Sequence, residues 1–161
     1  MAALRILIVA PSPAERAVFR GLLAKAENLS GDAIEAADAA AAKKALAAAR
    51  PDCVLLDYDL PGGNGLELLG EVVSTYGIHA FGIVMLMDAS APVAAVEALR
   101  SGAHDFLLKG NINAVLFQQG MRNAIEKAAI HRELETQRAE ITRKNDELEK
   151  HIVELEREAA E

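Results

Sequence analysis

The 161-residue sequence predicts a doubly wound α/β fold, a five-stranded parallel sheet whose strands alternate with helices. The first sign is Pro51–Gly65, PDCVLLDYDLPGGNG. There, four apolar residues, Cys53–Leu56, run straight into Asp57 and an acidic turn rich in proline and glycine. Such a run is a strand covered on both faces, as in a parallel sheet under helices. The second sign is recurrence. Leu4–Val9, Phe81–Met87 and His104–Leu108 repeat the apolar run, with helix-spaced apolar residues between them. The third is the position of Asp57 at a strand end, the edge where open α/β sheets collect ligands.

In chain order, Leu4–Val9 is apolar apart from Arg5 and forms the first strand. Ser12, Pro13 and Glu15 start a helix: a hydroxyl N-cap, proline at the first helical position, and glutamate at the third for a reciprocal capping box. Val18, Phe19, Leu22 and Leu23 give it a buried stripe. Gly31 and Asp32 read as a turn, and Ala33–Ala37 as a weak second strand of small side chains. Asp38 caps an alanine-rich helix through Ala49, with Leu46 as its main anchor, and Arg50–Pro51 ends it. Asp52–Asp57 is the third strand. After Pro61–Gly65, the apolar positions Leu66, Leu69, Val72 and Val73 fit a helix that closes near Gly77. Phe81–Met87 is the fourth strand, Ser90–Ser101 a helix with Pro92 near its start, and His104–Leu108 the fifth strand, ending at Lys109. A final helix begins at about Ile112.

Composition limits what the chain can do. Hydrophobic residues make up 52%, enough for a sizeable core, but 4% aromatics leave that core to Ala, Leu, Val and Ile. A formal charge of −7 and the lack of a basic cluster argue against direct nucleic-acid binding. No apolar run is long enough for a signal peptide or a membrane span, so the expected location is cytoplasmic. Cys53, the single cysteine, reads as a buried thiol in a reducing compartment. Nineteen of the last 41 residues are charged, against 22 of the first 120. This shift in density divides the chain into a packed α/β domain, residues 1–120, and a solvated helix, residues 121–161, continuous with the domain's last helix.

That helix would be roughly 70 Å long at ~1.5 Å per residue, too long to pack on one small domain. Leu134, Ile141, Leu148 and Leu155 recur every seven residues as d positions, with His131, Arg138, Asn145, Ile152 and Ala159 at a. Asn145 at an a position favours a parallel dimer in fixed register. Lys144 at g can meet Glu149 at the e position of a second copy, as a parallel pair requires. The expected dimer seam is therefore Leu134, Ile141, Asn145, Leu148, Ile152 and Leu155. Arg138 and His131 weaken it nearest the domain.

Three strand ends, LLDYDLPGGNG, the MLM of the fourth strand and DFLLKG closing the fifth, make residues 3–125 resemble the receiver (response-regulator) domain of two-component signalling. The resemblance implies a flavodoxin-like fold and an aspartate that accepts a phosphoryl group. In that family a magnesium ion neutralises the charge, held by the acceptor aspartate, acidic residues after the first strand and a backbone carbonyl two residues past the acceptor. A hydroxyl from the fourth strand and a lysine after the fifth complete the cradle. By this resemblance Asp57 matches the phosphoacceptor, Lys109 the phosphate-pairing lysine and Phe106 the switch aromatic. The acidic pair is replaced by Ala10 and Pro11, and the hydroxyl by Met87. Alanine and proline offer no side-chain oxygen to a hard cation, and methionine cannot donate a hydrogen bond.

The expected function is an atypical receiver that acts, independently of phosphorylation, as a signalling, protein-interaction and dimerisation module. Lys109 would then pair with Asp57 in place of metal and phosphate. No cofactor is expected, and enzymatic activity, self-phosphorylation and self-dephosphorylation, belongs only to the alternative below. Its partners would be a second copy through the C-terminal helix and a signalling protein, a histidine kinase or an output domain. The alternative is an active magnesium-dependent phosphoacceptor regulating a downstream output domain, phosphorylated on Asp57, with Asp57 and Asp59 as metal ligands. Asp88 and Ser12 stand near the same rim as further candidate ligands. A constitutive scaffold without signal input is a third possibility.

Overall fold

A computed structural model describes residues 4–26, 31–88 and 92–160. The chain divides into two compact units, Met1–Ala129 and Ile130–Glu161. In the first, the elements run β1 (Leu4–Val9), α1 (Pro13–Lys25), β2 (Gly31–Ala36), α2 (Ala39–Ala48), β3 (Cys53–Asp57), β4 (Asp59–Leu60), β5 (Gly63–Asn64), α3 (Gly65–Tyr76), β6 (Gly82–Met87), α4 (Pro92–Ser101) and β7 (Asp105–Leu108). A 3-10 turn, Lys109–Asn111, leads to α5 (Ala114–Ala160). The sheet order is β2-β1-β3-β6-β7 with every neighbouring pair parallel. This is the doubly wound architecture that the strand pattern predicts, in the flavodoxin-like form that the resemblance implies.

Alternation along the strands builds two cores. Leu7, Val9, Val54, Leu56, Ile83, Met85 and Met87 face α2, α3 and α4. Ile6, Ile8, Cys53, Leu55, Val84 and Leu86 face α1 and α5. On the second side the rings of Phe19 and Phe117 stack with centroids 6.3 Å apart, joining α1 to α5. Phe117 has no exposed surface; burying such a side chain stabilises by roughly 1.5–3 kcal/mol, enough to fix the base of α5 on the sheet. Gly82 allows β6 to approach that helix closely, because a Cβ there would lie 2.8 Å from the backbone carbon of Ala124.

The helix starts follow the capping residues. Ser12 Oγ accepts from Glu15 N at 3.3 Å and Asp38 Oδ1 from Ala41 N at 2.8 Å. Asn64 caps α3 and Asn113 caps the start of α5 in the same way, at 3.0 and 2.9 Å. Pro61 followed by Gly62, whose φ is +79°, turns the chain between β4 and β5 in the manner of a type II turn.

Two expectations fail. Gly31 and Asp32 form no turn; they open β2, paired with Leu4 and Arg5 of β1. The glycine is needed there because a Cβ would collide with the Leu4 carbonyl. Val18, expected in the buried stripe of α1, is 58% exposed, while Phe19 and Leu23 carry the contact. The expected helix start at Ser90 lies outside the described residues; the helix is described from Pro92.

In the second unit the described residues are helical and exposed throughout. Arg143 and Glu147 pair one turn apart. Leu134, Ile141, Leu148, Ile152 and Leu155 are 45–58% exposed on the single chain. No helix among the described residues is long and apolar enough to cross a membrane.

Candidate functional site

A parallel sheet brings the C-terminal ends of all its strands to one edge, and here the ends of β1, β3 and β7 deliver the titratable residues. Asp57 closes β3 with no exposed surface. Its Oδ2 accepts from Lys109 Nζ at 2.7 Å, and its Oδ1 from the amide of Asp59 at 3.0 Å. Lys109, the first residue after β7, also lies 3.5 Å from Glu15 Oε2 on the first turn of α1. One ammonium therefore stands between a buried carboxylate and a half-exposed one.

The electrostatics follow from that placement. Burial pushes the Asp57 carboxyl up from its ordinary range, against the hydrogen bonds from Lys109 and the Asp59 amide, which pull it down. For Lys109, burial works downward, but its hydrogen bond to Asp57 and the charges of Asp57, Glu15 and Asp59 prevail and hold it above the ordinary lysine value.

The loop after β1 is tied by a different cation. Arg16 Nη1 donates to the carbonyls of Ala10, at 2.6 Å, and Pro11, at 3.2 Å. Its Nε pairs with Glu35 at 3.1 Å, and Arg20 holds the other oxygen of Glu35 at 3.1 Å. Ala10 is fully buried, and its amide donates to Ala36 O in β2.

The remaining candidates divide. Met87 is buried in the cluster facing α2–α4, opposite Leu108 in the sheet register. Phe106 is half-buried and packs against the same cluster. Asp59 and Asp88 are exposed, and the hydroxyl of Ser12 is committed to capping α1. Asp57 and Lys109 come together; Asp59 joins them through its backbone amide. Among the described residues no three His, Cys, Asp or Glu side chains are grouped to hold a metal ion.

A magnesium ion would need oxygen ligands at this edge. Ala10 and Pro11 have no side-chain oxygen, their carbonyls accept from Arg16, and both oxygens of Asp57 are engaged. The residues present do not fit the ion.

Glu15 and Arg16 are the site residues that sequence reasoning misses. The capping-box reading accounts for Glu15, yet its carboxylate faces Lys109. Arg16 could have been found: it and Arg20 are four apart on one helical face, a pair of guanidiniums that calls for an acid such as Glu35.

Comparison with known proteins identifies the family and agrees with the fold. Residues 6–119 match the family model of the response regulator receiver domain. The chain is 29% identical over 133 residues to protein-glutamate methylesterase/protein-glutamine glutaminase 3 of Burkholderia thailandensis, covering 83% of this chain and 35% of that protein. It is 36% identical over 95 residues to the probable transcriptional regulatory protein NarL of Mycobacterium tuberculosis, covering 57% of this chain and 43% of that one. The crystal structure of the NtrX receiver domain from Brucella abortus superposes with a TM-score of 0.67 at 29% identity, covering 75% of this chain and 98% of that one. The chain spans about a third of the length of the curated methylesterase relatives it matches.

Proposed function

The chain belongs to the response regulator receiver domain family, and from that premise we propose that it is an atypical receiver working as a phosphorylation-independent interaction and dimerisation module. The observation that carries this reading is the closure of the acceptor carboxylate. Asp57 has no exposed surface, and its two oxygens are held by Lys109 and the Asp59 amide. A phosphoryl group arriving at Asp57 would have to displace an internal ion pair, with no hydroxyl at position 87 and no acidic pair at positions 10 and 11 to receive it.

In this proposal a partner protein is engaged by the globular unit, and two chains associate in parallel through Leu134, Ile141, Asn145, Leu148, Ile152 and Leu155. The signalling partner is a histidine kinase or an output domain. The competing reading, metal-dependent phosphorylation of Asp57, rests on the retention of both Asp57 and Lys109.

One titration decides between them. Backbone amide NMR spectra are followed with magnesium and then beryllium fluoride, a mimic of the aspartyl phosphate, with Asp57→Asn as control. No saturable change around Asp57, Met87 and Lys109 is expected. Saturable shifts that vanish in the control would overturn the proposal.

A further inference from the structure

At the opposite edge of the sheet, where β6 and β7 begin, two histidines meet. His104, 7% exposed, precedes β7, and His79, half-buried, lies in the loop between α3 and β6. His79 Nδ1 and His104 Nε2 are 3.2 Å apart, with the ring planes inclined at 53°.

The protons in this pair can be assigned by chemistry. The amide of Ile83 in β6 donates to His104 Nδ1 at 3.1 Å, so that nitrogen carries a lone pair and the ring proton sits on Nε2. Nε2–H then donates to His79 Nδ1. The same tautomer leaves Nε2 without the lone pair a metal ion would bind, so the close approach of the two rings is a hydrogen bond and not half of a metal site.

Neither ring can take a second proton without breaking a bond. A proton on His104 Nδ1 would confront the Ile83 N–H, and a proton on His79 Nδ1 would confront the His104 Nε2–H. The charged neighbours among the described contacts are Lys127 of α5, whose Nζ donates to His104 O at 3.1 Å, and Asp105 of β7, whose Oδ1 accepts from the Phe106 amide.

The pair sits where α5 is seated. His104 N donates to Ile83 O at 2.8 Å, closing a two-way tie between β6 and β7. Lys127 links that tie to α5, one turn beyond Ala124, which packs on Gly82.

We propose that His79 and His104 form a proton-sensitive tie that seats α5 on β6 and β7, and that mild acidification releases it. Such a site gives a receiver whose acceptor carboxylate is closed an input at the other end of the sheet.

The test uses the full chain. Imidazole nitrogen NMR and hydrogen exchange of the Ile83 amide, corrected for intrinsic exchange, are followed from about pH 7.5 to about pH 5, across the ordinary histidine range. The expected result is the Nε2–H tautomer of His104 at the upper end. On acidification an imidazolium pattern should appear together with a roughly tenfold or greater loss of Ile83 protection, the size of one lost hydrogen bond. His104→Asn keeps an acceptor for Ile83 but has no proton to bind, and its Ile83 protection should stay flat. His79→Gln, a second variant independent of the first, keeps an acceptor for Nε2–H and should move the acid midpoint. An Nδ1–H tautomer at neutral pH, unchanged Ile83 protection down to about pH 5, or the same acid response in both variants as in the parent would each overturn the proposal.

Discussion

Replacing Lys109 by methionine strands a carboxylate that has no exposed surface. Removing one member of a buried pair costs about 3–5 kcal/mol, and because the Lys109 side chain is 24% exposed the lower end applies, about 3 kcal/mol at neutral pH. The loss should shrink on acidification, since the unpaired Asp57 escapes by taking a proton; urea unfolding at neutral and acid pH checks this. In the parent chain both groups are held above their ordinary values, so each makes stability fall as pH rises, in its own pH window. Lys109, held above its ordinary value, contributes stability that is complete below the ordinary lysine range and is lost as pH rises through the raised value. Asp57, pushed up by burial, favours the fold most at low pH and loses that advantage as pH rises through its own raised value. Arg16 makes a second prediction. Lysine there keeps the charge but cannot hold two carbonyls and Glu35 at once, so Arg16→Lys should cost about 1–2 kcal/mol in the same assay. Residue identity made Asp57, Lys109 and the missing oxygens at positions 10 and 11 legible. It did not reveal Glu15 at Lys109, because one carboxylate three residues after a serine satisfies a local rule and a tertiary contact equally well.

At the scale of elements, strands and helix starts were the readable part. Apolar runs located β1, β3, β6 and β7, and Ser12 and Asp38 cap the helices they were expected to cap. β2 was displaced because Gly31 reads as a turn residue, whereas tight parallel pairing with Leu4 demands it. The helical heptads give the prediction that belongs here. Asn145 at a lowers the stability of a parallel pair while fixing its register. Asn145→Leu should tighten self-association yet broaden the distribution of oligomers, and sedimentation equilibrium measures both. Leu148→Lys should weaken association by placing like charges in the seam.

For the whole molecule, the two compact units allow the proposed interaction and dimerisation roles to be tested apart. A chain ending at Ala129 should keep the cooperative unfolding of the α/β unit, since both cores lie within it, and, under the proposed dimerisation through the C-terminal helix, should sediment as a monomer where the full chain self-associates. A truncated chain that still dimerises would assign self-association to the globular unit. Overall architecture was the most legible level, because five strands of one pattern in a parallel sheet leave few arrangements. The His79–His104 contact was illegible, because the residues are 25 apart in sequence and come together only when β6 and β7 lie side by side.

Cys53 gives the fold a built-in chronometer. The thiol lies in β3 with no exposed surface, 3.9 Å from Met121 Sδ, and burial pushes it far above the ordinary thiol range. A reagent that consumes thiolates meets neither an accessible nor an ionised sulfur until the central strand is uncovered. The labelling rate of native protein therefore counts openings of the sheet's centre, without any introduced probe. Applied to the Lys109 and His104 variants, the same clock separates a change that lifts only an edge from one that melts the middle.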